Sequence, residues 1–288
     1  MGGGREMKQW YLIIDVAKCE NCHNCLLACK DEHVGNDWPG YAVSQPNLGQ
    51  RWVSINSVER GQHPMVDVAY LPVPCQHCAD APCIRAARDN AVYKRPDGIV
   101  IIDPIKAKGE KQIVAACPYG AIWWNEELQI VQKCTMCAHL LDTGWEKPRC
   151  VQACPTGALG IRCLEEAEMV KTIESEKLEA HQAELKTNPH VLYKNLYRFN
   201  RCFLGGSVAV RINGREECAE GAKVTLCRGA GDKVGECLTD NYGEFKFDNL
   251  EENSGVYTVE IVFPGYPQKT LDVDLKDSLY MGTIYLPA

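Results

Sequence analysis

The rhythm of apolar and polar positions changes twice along the chain. Up to residue 163 the elements are short. Two segments, "QWYLIID" at residues 9–15 and "GIVIID" at residues 98–103, are nearly continuous apolar runs closed by aspartate, and these predict buried strands. Residues 164–186, "LEEAEMVKTIESEKLEAHQAELK", are charged, with Leu164, Ala167, Val170 and Ile173 at helical spacing. That spacing predicts an amphipathic connecting helix whose charges form a solvated face.

Beyond Asn188 the period shortens to two. "VAVRI", "KVTLC", "ECLTD", "EFKFD", "VYTVEIVF", "KTLDVDL" and "TIYL" predict seven strands, separated by Gly, Asn and Asp as in an antiparallel sandwich. "TDNYGEF" supplies turn chemistry, with Gly243 free to take a positive φ. The expected fold class is α+β: a cysteine-rich region at 1–163, a helical connector at 164–195 and an all-β sandwich at 196–288.

Charge narrows the class. The formal net charge of −7 argues against a nucleic-acid binder, which shows a basic patch or stripe. The start "MGGGREMKQWYLIID" has too short an apolar run for a signal-peptide core, and no stretch of about 18 apolar residues occurs. The expectation is a cytoplasmic protein without direct membrane contact, made in a reducing compartment.

Seventeen cysteines are the outlying figure, and thirteen of them fall at or before Cys163. In a reducing compartment such density points to metal rather than disulfides. Cys19, Cys22, Cys25 and Cys29 form a complete C-x2-C-x2-C-x3-C run, the ferredoxin pattern. In two-cluster ferredoxins the fourth cysteine of a run ligates the other cluster, so a partner run is required. It stands at Cys134, Cys137, Cys150 and Cys154-Pro155, with a stretched middle gap. Exchange then gives one [4Fe–4S] cluster on Cys19, Cys22, Cys25 and Cys154, and another on Cys134, Cys137, Cys150 and Cys29.

A second pair of runs is broken in an ordered way. Cys75, Cys78 and Cys83 lack a fourth ligand four residues on, where Ala87 stands. The segment before Cys117-Pro118 ends like a ferredoxin run, yet the three preceding ligand positions hold Ala107, Glu110 and Ile113. Under the same exchange Cys75, Cys78, Cys83 and Cys117 make one complete set. Positions 87, 107, 110 and 113, all non-cysteine, make the set that was lost. Random decay would rarely clear one set and spare the other, so three [4Fe–4S] clusters on twelve cysteines are expected. Structural zinc uses C-x2-C pairs, but needs no runs of three and does not account for the matched losses.

The remaining residues read more plainly. Cys163, Cys202, Cys218, Cys227 and Cys237 show no ligand spacing and are expected as small packing residues. His23, His33, His77 and His139 lie near the runs but face filled ligand sets, so ordinary hydrogen bonding is expected. Tyr119, Trp123 and Trp124 are expected to pack near the third cluster. No nucleophile–base pairing, phosphate loop or organic-cofactor motif appears, so no catalytic residue is assigned. A cubane bound by four cysteines leaves no open iron, which points to electron transfer.

Over roughly residues 7–163 the four-run pattern resembles the iron–sulfur subunits of the dimethyl-sulfoxide-reductase family of molybdopterin enzymes. "IDVAKCENCHNC", "DEHVGNDWPGY", "PCQHCADAPC", "DGIVIIDPIKAKGEK", "CPYG", "QKCTMCAHLLD", "YKNLYRF" and "GEFKFD" narrow the likeness to one branch, the small subunits of pyrogallol–phloroglucinol transhydroxylases. The sandwich resembles transthyretin-like domains, which carry a similar T-D-x-x-G-x-F. The resemblance implies a heterodimer whose large subunit binds molybdenum on two molybdopterin guanine dinucleotides, together with the phenolic substrate. It leaves three alternatives: a resorcinol-hydroxylase-type enzyme, a respiratory molybdopterin reductase, and a free-standing polyferredoxin. The last is disfavoured by the long loop at 31–74 and the appended sandwich.

Overall fold

The computed structural model describes residues 7–229 and 231–287, so residues 1–6 of the first expected domain lie outside it. The chain divides into two compact units. One holds residues 1–56 and 70–196, the other 57–69 and 197–288.

The first unit is organised on β1 (Gln9–Asp15), the strand expected from its apolar run. It is central in a three-stranded sheet, antiparallel to β8 (Leu159–Leu164) and parallel to β9 (Val191–Lys194). A central strand is covered on both faces, which explains why Tyr11, Leu12, Ile13 and Ile14 are all buried. Around this sheet lie two small antiparallel pairs. One joins β4 (Val92–Lys94) to β5 (Val100–Ile102), and the other joins β6 (Trp123–Asn125) to β7 (Ile130–Gln132).

Short helices carry the cysteines. They are α1 (Asn24–His33), α2 (Pro82–Ala86), α3 (Gln112–Ala115), α4 (Ala138–Leu141) and α5 (Arg149–Gln152). The loop expected at 31–74 contains instead a hairpin of β2 (Val53–Gln62) and β3 (Met65–Pro74).

The connecting helix is shorter than its apolar spacing suggests. Helix α6 spans Glu166–Glu176. Leu164 is still strand, paired with Gln9. Glu165 and Glu168 form a reciprocal capping box that starts the helix, and Lys177 ends it in the left-handed region. Met169 is the residue buried on α6, while Val170 is 50% exposed. Of the i, i+3 series, Leu164 and Ile173 pack against the core that holds Met169, whereas Ala167 and Val170 are exposed.

In the second unit the sandwich has eight strands rather than seven. Strand β10 (Cys202–Ile212) pairs with β11 (Arg215–Cys218), β14 (Glu244–Leu250) and β17 (Leu279–Tyr285). The facing sheet runs β13 (Asp232–Leu238), β12 (Lys223–Arg228), β15 (Gly255–Val262), β16 (Lys269–Leu275). Leu204, Val224, Leu226, Phe245, Val259, Ile261 and Leu275, drawn from both sheets, share one core. At the "TDNYGEF" turn Asp240 Oδ1 accepts from the amides of Tyr242 and Glu244, both at 2.9 Å. Gly243 there has φ +75°, and a Cβ would lie 2.4 Å from the Val208 carbonyl oxygen, so no other residue fits.

The tip of the β2–β3 hairpin completes this unit. Arg60, 4% exposed, donates to Asp67 at 2.6 Å and to Asp248 at 2.9 and 3.1 Å. Burial works to raise the Asp67 pKa, but hydrogen bonds from Arg60 and Lys246 outweigh it and hold the carboxyl at about 2. Among the described residues no helix is long and apolar enough to cross a membrane.

Candidate iron–sulfur centres

Local backbone geometry brings the thiols together. Asn21 and His23 are in the left-handed region, which winds the segment between Cys19 and Cys25 tightly before α1 begins. Cys25 and Cys29 then sit one helical turn apart, a rise of about 6 Å, enough for neighbouring residues of one run to serve different groups. Met136 and Cys137 repeat the left-handed winding ahead of α4. Helices α1 and α5 pack together, which places Cys29 beside Cys150.

The twelve cysteines fall into three groups. Cys19, Cys22, Cys25 and Cys154 line one cavity with Ile55 and Leu159. Cys75, Cys78, Cys83 and Cys117 line another with Pro82, Val100, Pro118 and Tyr119. Cys29 interacts electrostatically with Cys134 and Cys137, and Cys150 with those two and with Cys29, which makes the third group. Residues distant in sequence, such as Cys25 and Cys154 or Cys83 and Cys117, are thus spatial neighbours.

The groups also influence each other electrostatically. Cys150 feels Cys25 of the first group, and Cys134 feels Cys75 of the other.

Burial makes these thiols reluctant to ionise alone. It pushes Cys25, Cys78 and Cys134 up to about 11, and Cys83 and Cys137 to about 12. Cys154 goes the other way: amide hydrogens of Leu159, Ala158 and Thr156 and the Thr156 hydroxyl outweigh its burial and lower it. Four acidifiable thiols in one apolar pocket are stable as thiolates when a cationic centre replaces their protons. All seventeen cysteines are free thiols.

Buried donors near the groups also want acceptors. His77 Nδ1 accepts from the Val100 amide at 3.0 Å, which leaves its Nε2–H, next to the Cys75–Cys83 run, without a partner among the described residues. Trp123 Nε1, packed beside Cys29 and Cys134, is in the same position, as is Thr135 Oγ1. Sulfur acceptors in a cluster would satisfy all three, so the residues present fit such a group. Among the described residues no three His, Cys, Asp or Glu side chains gather as a single metal ion requires.

The four positions of the lost set are filled differently. Ala107 and Ile113 are fully buried, and they pack with Ala87 in one core that also holds Val92, Val100 and Ile122. Glu110 turns outward, where its Oε2 accepts from the Arg88 amide at 3.2 Å and from Gln112 Nε2 at 2.6 Å.

Trp124 and Tyr119 pack with Cys117 as expected, but Trp123 joins Cys29 and Cys134. The reason is strand alternation, which sends adjacent residues of β6 to opposite faces. His33 and His139 meet edge to face at 5.4 Å, and His139 Nε2 is 2.9 Å from Glu32 Oε1. Cys202 and Cys227 are buried, Cys163 and Cys237 intermediate, and Cys218 exposed. Lys133 and His190 are among the buried polar residues that went unnoticed in the sequence. Nothing in their local pattern marks burial.

The family model described as a 4Fe-4S dicluster domain matches residues 66–163. The pyrogallol hydroxytransferase small subunit of Pelobacter acidigallici is 48% identical over 97% of this chain and 100% of its own length. The B subunit of the anaerobic dimethyl sulfoxide reductase of Escherichia coli is 34% identical over 55% of this chain and 75% of its own length. A solved 5-hydroxyisourate hydrolase from Klebsiella pneumoniae covers 30% of this chain and 92% of its own at 15% identity. Its TM-score of 0.25 carries no argument about the sandwich.

Proposed function

The chain belongs to the family of the pyrogallol hydroxytransferase small subunit, within the iron–sulfur subunits of the dimethyl-sulfoxide-reductase family, and on that premise we propose that it carries three [4Fe–4S] clusters for a large molybdopterin-binding partner acting on phenols. The observation that carries this reading is the grouping of twelve cysteines into three sets of four, each completed by a thiol from a distant run. The replacement of the fourth set by buried alanine and isoleucine supports the count. Each cluster, when bound, supplies a one-electron redox centre.

The chain's own residues arrange these centres in a row. Cys19, Cys22, Cys25 and Cys154 hold one end. Cys29, Cys134, Cys137 and Cys150 hold the middle, and Cys75, Cys78, Cys83 and Cys117 hold the other end. Electrostatic influence runs from Cys25 to Cys150 and from Cys75 to Cys134. Apolar neighbours such as Ile55, Leu159, Val100 and Ile122 keep water from the thiols.

Chemistry on the substrate belongs to the partner, with molybdenum on two molybdopterin guanine dinucleotides. We assign hydroxyl transfer between pyrogallol and phloroglucinol as the overall reaction, a cytoplasmic location, and a transthyretin-like docking or shielding role for the sandwich at 196–288. Anaerobic affinity purification through a tag on this chain tests the reading. A molybdenum protein in one-to-one ratio, with pyrogallol converted to phloroglucinol, is the expected result. Recovery of the chain alone from cells that express the neighbouring genes contradicts it.

A further inference from the structure

Lys133 stands directly before Cys134 and is 2% exposed. Its Nζ donates to the carbonyl oxygens of Val100 and, at 3.1 Å, of Cys134. No carboxylate among the described residues pairs with it, although a buried ammonium is costly unless an opposite charge stands near.

Its two acceptors locate the charge. Val100 lines the cavity of Cys75, Cys78, Cys83 and Cys117, and its amide is fixed from the other side by His77 Nδ1 at 3.0 Å. Cys134 belongs to the middle group. The ammonium is therefore tethered between two thiol groups. The cavity of Cys19, Cys22, Cys25 and Cys154 includes neither Val100 nor Cys134 in its lining.

We propose that Lys133 is the shared countercharge of two clusters, raising the reduction potentials of the middle and the Cys75–Cys117 centres while leaving the Cys19–Cys154 centre unaffected. A cluster bound by four thiolates is anionic and becomes more so on reduction, so a fixed positive charge at low dielectric stabilises the reduced form. Lys133 is thus a positioning residue for electrons, biasing them toward one end of the row. This inference rests on the three-cluster reading, and iron content tests that reading separately.

The experiment is potentiometric titration of the whole complex, followed by electron paramagnetic resonance, for Lys133→Met and Lys133→Arg. In Lys133→Met two of the three potentials should fall by at least a tenfold change in the oxidised-to-reduced ratio, about 59 mV for one electron. The third should stay, and so should about 12 Fe per chain. Lys133→Arg keeps the charge and should keep all three potentials within that limit. Should Lys133→Met lose iron, Lys133→Gln carries the same expectation, since it retains donors for both carbonyls without the charge. With iron retained, unmoved potentials, an equal shift of all three, or an arginine variant that shifts as far as the neutral one overturns the proposal.

Discussion

The two paired halves of the cysteine-rich region began from one pattern and now differ. In the half built from residues 19–29 and 134–154 both ligand sets stand. In the half built from residues 75–87 and 107–117 one set of four cysteines stands, and the other four positions hold Ala87, Ala107, Glu110 and Ile113. Cys150 and Ile113 hold equivalent places in their runs, and both are buried, at 8% and 0% exposure. Burial was kept while the chemistry changed. What the fold requires at that place is filled volume, which a cluster or close-packed alanine and isoleucine can both provide. Glu110, which such a core would not tolerate, turned out to the surface.

The largest effect should come from the surviving sets. Cys117→Ser and Cys78→Ser should abolish the same paramagnetic signal despite their separation in sequence, and Cys29→Ser should perturb the signal of Cys134, Cys137 and Cys150. Cys117→Ser with all three signals unchanged would break the pairing. On the apolar side, Ile113→Ala should destabilise the chain by about 2–5 kcal/mol without loss of iron, the cost of a core cavity. Iron lost in proportion to stability would show that the position still serves a cluster.

The comparison also extends to the sandwich, whose core holds Cys202 as a single packed thiol and no set of four. A fusion of residues 57–69 to residues 196–288 should melt cooperatively without iron. Omitting 57–69 takes the buried partner from Asp248, and Arg60→Met takes it from both Asp67 and Asp248; either change should cost about 3 kcal/mol. Equal stability of the two forms would remove the hairpin tip from this unit.

The smallest effect is acid dependence in the same fusion. Asp67 and Asp248 have folded pKa values below the unfolded value of about 3.9. Their stabilisation is therefore complete above that pH and is lost as pH falls, the Asp67 part through about 2. Asp67→Asn should flatten this fall between pH 4 and pH 2, and an unchanged profile would assign the loss to other groups.

Strand β1 could be read from the sequence because it is written in local spacing, and the three ligand groupings we propose rest on cysteine spacing in the same way. A continuous apolar run specifies a buried strand, and a fixed cysteine interval specifies a loop that wraps a cluster. Strand β11 could not be read from hydrophobic alternation, since Arg215–Cys218 is exposed throughout. Its signal was Asn213-Gly214, both at positive φ, the dipeptide that favours a tight hairpin turn. The β2–β3 hairpin was hidden by a mixed pattern along Val53–Gln62, where Arg60 is buried together with Val53 and Val58 is not. Lys133 looked like an ordinary surface lysine. Only the fold shows that Val100 and Cys134 hold it inside.

The central claim is the number of clusters, and mass measures it most directly. Native mass spectrometry of this chain released from the anaerobically purified complex should show the polypeptide plus three cubane clusters, about 12 Fe and 12 sulfide. A mass corresponding to four clusters would mean that the Ala87, Ala107, Glu110 and Ile113 site is not the replaced one, and a mass corresponding to two would mean that Cys117 does not complete the set of Cys75, Cys78 and Cys83.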